Sequence, residues 1–111
     1  MKERINRINE LIRKTTAIIL LKEIFLGKDV LATVQKVDTS KDLKYSKIWI
    51  SVIPFNKSGR VLEILEKRKS HIQKELGNFV KIKFLPKIEF KIDETEEKAD
   101  KIEKILKKIK T

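Results

Sequence analysis

The 111-residue chain predicts an α+β fold, a three-stranded sheet with helices packed on one face. Three observations carry that prediction. Residues 45–53, "YSKIWISVI", alternate apolar and polar side chains, as a half-buried strand does. Ile5, Ile8, Leu11, Ile12, Thr15 and Ile19 recur three and four residues apart, the period of a helix with one apolar face. Segments of these two kinds follow one another in the order α-β-β-α-β-α, with turn-forming residues between them.

The first helix is expected from about residue 2 to 25, ended by Gly27, with Arg4, Arg7, Arg13 and Lys14 mostly off its apolar stripe. Residues 30–37, "VLATVQKV", favour a strand through their β-branched content. "DTSKD" then reads as a turn, in which Asp38 and Asp42 would bond backbone amides. The strand at 45–53 pairs with its predecessor as a hairpin, and Pro54 closes it. Its Ile48, Ile50 and Val52 face one way, and Tyr45, Lys47, Trp49 and Ser51 the other. Ser58 is the expected cap of a second helix from about 59 to 77 that stops at Gly77-Asn78. Val61, Ile64 and Leu65 open its stripe and Ile72 and Leu76 resume it, but "EKRKSHIQK" at 66–74 interrupts with dense positive charge. Residues 79–92 alternate again, and Pro86 within them predicts a bulge or a sheet edge. Asp93 with Glu96 resembles a capping box. The final helix it opens carries Ala99, Ile102, Leu106 and Ile109 as its apolar stripe, and its charges match the helix dipole.

Length and pattern suit one domain spanning 1–111. The 27 Lys and Arg outnumber the 16 Asp and Glu, giving a net charge of +11. Such a balance favours an anionic partner, nucleic acid first, although a lysine-rich solvated surface has the same composition. The absence of cysteine excludes disulfides and thiolate chemistry. The apolar run at 17–26 is short and broken by Lys22 and Glu23, so no membrane span is expected. The amino terminus is too charged for a secretory signal, which leaves a cytoplasmic protein as the expectation. There is no Ser-His-Asp arrangement, no phosphate-cradling glycine loop and no recognisable metal-ligand spacing, so neither an enzyme nor a cofactor is expected.

The element order and basic charge resemble the type II KH arrangement of RNA-binding modules. The segments "RINRINELIRK", "VQKVDTSKDLKYSKIWISV" and "ILEKRKSHIQKELGNFVKIKFLPKIEFKIDE" resemble ribosome-binding factor A over nearly the whole chain. Val37, Ser40, Asp42, Leu43, Ile48, Ile50 and Ser51 fit that family's hairpin pattern, with Ser46 in place of its usual Ala. Pro86, Ile88, Phe90 and Asp93 fit its last motif. The chain departs from the family in lacking a "D-P-R"-like element before the first strand. It also carries Arg68 and Ser70 where the family has Ala-x-Gly. A weak kink near Ser70 is therefore expected. The resemblance implies a non-catalytic assembly factor, monomeric when free. It would bind immature 30S ribosomal subunits and their 16S rRNA and aid late maturation of the rRNA 5′ region, notably in the cold.

Three basic surfaces are candidate RNA contacts. Lys67, Arg68, Lys69, Ser70 and Lys74 lie on the second helix, Arg4, Arg7 and Arg13 on the first, and Lys44 and Lys47, with Lys41, around the hairpin turn. Solvated surface is the alternative for each, the resemblance favours RNA for the second-helix run, and His71 reads as half-buried. Tyr45 and Trp49 on the open sheet face could stack on unpaired bases or serve as cross-strand partners. A generic KH-like RNA binder and an adaptor docking on ribosomal proteins are the alternative functions.

Overall fold

The structure, a computed structural model, describes residues 2–95. They form α1 (Lys2–Glu23), β1 (Leu31–Thr39), β2 (Tyr45–Ile53), a short 3-10 turn (Phe55–Lys57), α2 (Ser58–Phe79) and β3 (Lys87–Ile92). The helix expected after Asp93 lies outside the described residues. The sheet order is β1-β2-β3, with β1 antiparallel and β3 parallel to the central β2.

Alternation in β2 decides which face of the sheet is buried. Ile48 and Ile50 are wholly buried, and Val52 nearly so, beneath both helices. Ile8, Ile12 and Ile19 of α1 and Val61, Leu65, Ile72 and Leu76 of α2 complete that core, with Val34 and Val37 of β1 and Ile88 and Phe90 of β3. Each such side chain contributes roughly 1.5–3 kcal/mol on leaving water. The opposite face carries Lys36, Trp49 and Lys91 in one row and Asp38, Lys47 and Glu89 in the next.

One polar thread crosses the core. Thr39 Oγ1 donates to Asn9 Oδ1 of α1. Since that hydroxyl hydrogen is then in use, Ser46 Oγ, 2.7 Å away, must be the donor to Thr39. Ser46 is thus accommodated at a fully buried position on the core face.

Several boundaries differ from expectation, each for a physical reason. α1 stops at Glu23, two residues early, and Gly27 makes the turn at φ +125°, where an added Cβ would lie 3.3 Å from Val30. β1 runs on to Thr39, and a bulge between Val34 and Lys36 shifts its alternation, so that Val34 and Val37 both point inward. Ser58 is not a cap. The helix emerges from the 3-10 turn, the Ser58 amide bonds the Phe55 carbonyl, and the Ser58 hydroxyl is buried with no hydrogen-bond partner among the described residues.

α2 also passes through Gly77 and Asn78 to Phe79. Burial of Leu76 and Val80 on either side outweighs the glycine's helix penalty of about 1 kcal/mol. Its helical pattern continues unbroken through 68–71, so no interruption marks the kink expected near Ser70. The last strand is shorter than its sequence alternation suggests. Residues 80–86 are irregular, because Pro86 has no amide to give and ladder bonding starts at Lys87, whose amide reaches the Lys44 carbonyl. Gln73 of α2 spans the outer edge, donating to the Pro86 carbonyl and accepting from the Ile88 amide, both at 2.9 Å.

The hairpin turn has its own bonding. The Asp42 carboxylate accepts from the Ser40 hydroxyl at 2.6 Å and the Lys44 amide at 3.0 Å. Ser40 also accepts the Tyr45 amide, and its carbonyl accepts the Leu43 amide. This frame holds Leu43 at φ +61°, a conformation costly for a side chain other than glycine. Asp38, by contrast, belongs to β1 opposite Lys47, not to the turn.

Thr39→Val should lower the unfolding free energy by about 1–3 kcal/mol, because it strands the buried Ser46 hydroxyl and a half-buried Asn9. Ser46→Ala should cost less, and the double variant less than the sum; urea unfolding of the set checks this. Gln73→Leu should destabilise by a similar amount, with hydrogen exchange accelerated at Ile88. At the turn, the Ser40 hydroxyl and then the Lys44 amide hold the Asp42 carboxyl below its ordinary value. Asp42 therefore contributes stability that is present above the ordinary carboxylate range and lost as pH falls through the lowered value. Asp42→Asn should keep the turn but lose that part of the acid dependence of the urea midpoint, while Asp42→Ala should lower the midpoint at neutral pH.

Candidate nucleic-acid interface

Two clefts open along the β3 side of the molecule and meet at Tyr45 and Lys87. The first, of about 670 Å³, lies between the start of α1, the hairpin turn and the segment 80–86. Arg4, Lys44, Lys83 and Lys87 surround it, and Ile8, Ile82 and Leu85 contribute apolar wall. The second, of about 540 Å³, runs between α2 and β3 past Lys69, Ser70 and Gln73. Local structure explains this placement. The Asp42 turn presents Lys44 and Tyr45, and the Lys87–Lys44 backbone bond draws the 80–86 segment against them.

Some of the candidate residues are paired within their own helix, while Arg7, Lys47, Arg68 and Lys74 form no ion pair among the described residues. Lys67 pairs with Glu63 at 3.3 Å and Lys69 with Glu66 at 3.2 Å, both within α2. Arg13 makes a two-pronged contact with Glu10, at 2.6 and 3.0 Å, which lowers the Glu10 carboxyl and raises the Arg13 guanidinium. Exposed pairs like these contribute little to stability, but they cancel charge locally. Lys47 stands between Asp38 and Glu89 across the sheet. Arg4, Lys44, Lys83 and Lys87 form no ion pair among the described residues.

The structure thus brings Arg4 and Lys44 into one cleft and Lys69 and Ser70 into its neighbour. Arg7, Lys67, Arg68 and Lys74 are exposed outside both, and Arg13 borders a separate groove beside the end of α1. Trp49 is half-buried, with Lys36 Nζ 5.2 Å from its ring centre, and lies in neither cleft. Lys83, Phe84 and Lys87 join the site unforeseen. Their alternation hid them in an expected strand, although Pro86 was the signal that the preceding residues form a loop.

A small cluster elsewhere was also missed. Carboxylates of Glu23 and Glu75 and the His71 imidazole place donor atoms within 4.8 Å of one another, a set that could hold a divalent ion. His71 Nε2 lies 3.5 Å from Glu23, linking the end of α1 to α2, with the imidazole half-buried as expected. Spacing could not reveal it, because Glu23 comes from a different helix. No helix among the described residues is long and apolar enough to cross a membrane.

The fold matches solved structures. A crystal structure of ribosome-binding factor A from Thermus thermophilus superposes with a TM-score of 0.68 at 20% identity, over 79% of this chain and 93% of that one. A solution structure of a putative ribosome-binding factor A from Thermotoga maritima gives 0.60 at 23% identity, over 81% and 83%. A Thermus thermophilus ribosome-binding factor A homology model, fitted into the cryo-EM map of a 30S complex, gives 0.66 at 18% identity, over 78% and 91%. Sequence relatives are nearer. Ribosome-binding factor A of Clostridium acetobutylicum is 37% identical over 111 residues, spanning 98% of this chain and 92% of the relative. That of Halothermothrix orenii is 33% identical over 110, spanning 98% and 90%. The family model for ribosome-binding factor A matches residues 4–106, and the chain belongs to the ribosome-binding factor A family.

Proposed function

We propose that the chain is an assembly factor for the small ribosomal subunit, acting as one domain over 1–111 and contacting 16S rRNA through the paired clefts. The observation that carries this reading is the convergence of four cations without ion-pair partners among the described residues, Arg4, Lys44, Lys83 and Lys87, on one concave surface of a chain with net charge +11. Phosphate neutralisation by such groups releases counterions and supplies most of the binding free energy. The family membership supports a ribosomal target, and so does the related Thermus protein, fitted in a complex with the 30S particle. Binding, not chemistry, is the activity. The protein works in the cytoplasm as a monomer when free, on immature particles during late maturation of the rRNA 5′ region, with the greatest demand in the cold.

Lys69 and Ser70 carry the surface into the second cleft along α2, and Arg68 stands exposed beside them outside it. Sedimentation of cell extract should place the protein with immature small subunits and not with complete ribosomes; an even spread over all RNA sinks the assembly role. Replacing Arg4, Lys44 and Lys87 together by glutamine should weaken particle binding. It should also reduce the slope of log affinity against log salt by up to roughly 0.7–0.9 for each phosphate no longer neutralised. Arg68→Glu with Lys69→Glu tests the α2 stretch separately. The Lys67→Gln/Lys74→Gln pair, outside both clefts, should have the smallest effect of the three.

A further inference from the structure

We infer that the first cleft receives unpaired nucleobases, with Phe84 and Tyr45 as the surfaces on which they stack. The inference rests on the RNA-binding reading above and sharpens it from RNA in general to single-stranded segments.

Phe84 is 78% exposed and Tyr45 49% exposed, and both border the same 670 Å³ space. Neither ring belongs to the core. An aromatic ring left in water forgoes roughly 1.5–3 kcal/mol of burial, so two of them facing one cavity constitute an apolar surface awaiting a flat partner. Their surroundings state what charge that partner carries. Arg4, Lys44, Lys83 and Lys87 border the space. The one carboxylate there among the described residues, Asp42, is held by the Ser40 hydroxyl and the Lys44 amide. Lys83 Nζ lies 5.8 Å from the centre of the Phe84 ring, so the ring and an ammonium that can reach phosphate are presented together.

Aromatic faces interleaved with cations suit a strand whose bases are splayed and whose phosphates pass alongside. A duplex offers no such fit. Its bases are stacked inward, and A-form RNA presents phosphates and 2′-hydroxyls at a groove rather than free base faces. Volume agrees, since about 670 Å³ falls in the range of pockets that enclose small flat ligands. The trajectory is also open, because Tyr45 and Lys87 belong to both clefts, and a strand leaving the first can continue past Lys69 and Ser70.

The test uses the full chain and a short single-stranded RNA oligonucleotide of mixed sequence, compared with the same sequence in a blunt duplex, by fluorescence anisotropy across a salt series. The single strand should bind more tightly than the duplex. Phe84→Leu and Tyr45→Leu keep an apolar side chain at an exposed site, and each should weaken single-strand binding by about 5- to 150-fold, leaving the salt slope unchanged. Lys83→Gln should instead lower the slope. Circular dichroism confirms that each variant is folded. Equal affinity for duplex and single strand, or undiminished single-strand affinity in the Phe84→Leu/Tyr45→Leu double variant, overturns the inference. So does binding of an acidic peptide in place of RNA. Sedimentation with immature small subunits is measured in parallel. If the wild-type chain binds particles and the double variant does so equally well, the assembly reading stands and the stacking inference fails. If the single-strand results hold but particles are not bound, the assembly reading fails alone.

Discussion

Parallel pairing of β3 with β2 is the constraint on which the rest of the architecture depends. An antiparallel neighbour can be reached by a tight turn, as β1 reaches β2, but a parallel one requires the chain to travel back along the sheet before it re-enters. α2 makes that journey. Its 22 residues span roughly 33 Å at 1.5 Å per residue, a little more than the roughly 30 Å of a nine-residue strand. The helix therefore reaches the Tyr45 end of β2 and overshoots it. Residues 80–86 must fold back to bring Lys87 beside Lys44. The cleft bounded by that return segment is a consequence of the crossover geometry and requires no dedicated element.

The same constraint sorts the charges. Some lysines and arginines on the outer helix faces pair with carboxylates three or four residues away, as Arg13 does with Glu10 and Lys67 with Glu63, whereas Arg68 and Lys74 have none at that spacing. Sheet residues find opposite charges by register, as Lys47 does between Asp38 and Glu89. The return segment has neither helical nor ladder neighbours, so Lys83 forms no ion pair among the described residues, and Arg4, Lys44 and Lys87 converge on it from other elements. Net charge of +11 says only that positive charge is in excess. Convergence of separate elements concentrates part of that excess, and Arg4, Lys44, Lys83 and Lys87 meet around one cleft.

Much of this was legible in the sequence, because its clearest signals are periodic. The alternation of β2, the stripe of α1 and the hairpin are all plain in the residue pattern, as is the bonding role of Asp42. Four features are not, because at each one another interaction overrides the simplest local signal. Gly77 and Asn78 look like a stop, but burial of Leu76 and Val80 carries the helix past them. Ser58 looks like a cap, but the 3-10 turn before it already satisfies its amide. Alternation over 79–86 looks like a strand, but alternation needs a ladder to matter, and Pro86 delays the ladder to Lys87. The bulge between Val34 and Lys36 leaves no mark that a period of two could detect. Arg4 and Lys44 are therefore foreseeable only as parts of two separate surfaces, while Lys83, Phe84 and Lys87, which join them, are hidden in an apparent strand.

The turn residues show how motif and mechanism connect. Ser40, Asp42 and Leu43 fit the hairpin pattern of the family, and the structure gives each a physical role. Ser40 and Asp42 build the hydrogen-bonded frame, and Leu43 occupies the left-handed conformation that the frame enforces. Together they orient the next two residues. With the Lys44 amide held by Asp42 and the Tyr45 amide by Ser40, Lys44 and Tyr45 are presented toward the return segment from a fixed base. Preorganisation of this kind lowers the entropy lost on binding. The motif that identifies the family by sequence thus lies outside the basic residues themselves. It is the support that sets one cation and one aromatic ring against Lys83 and Phe84, and the cleft exists only while that support and the crossover both hold.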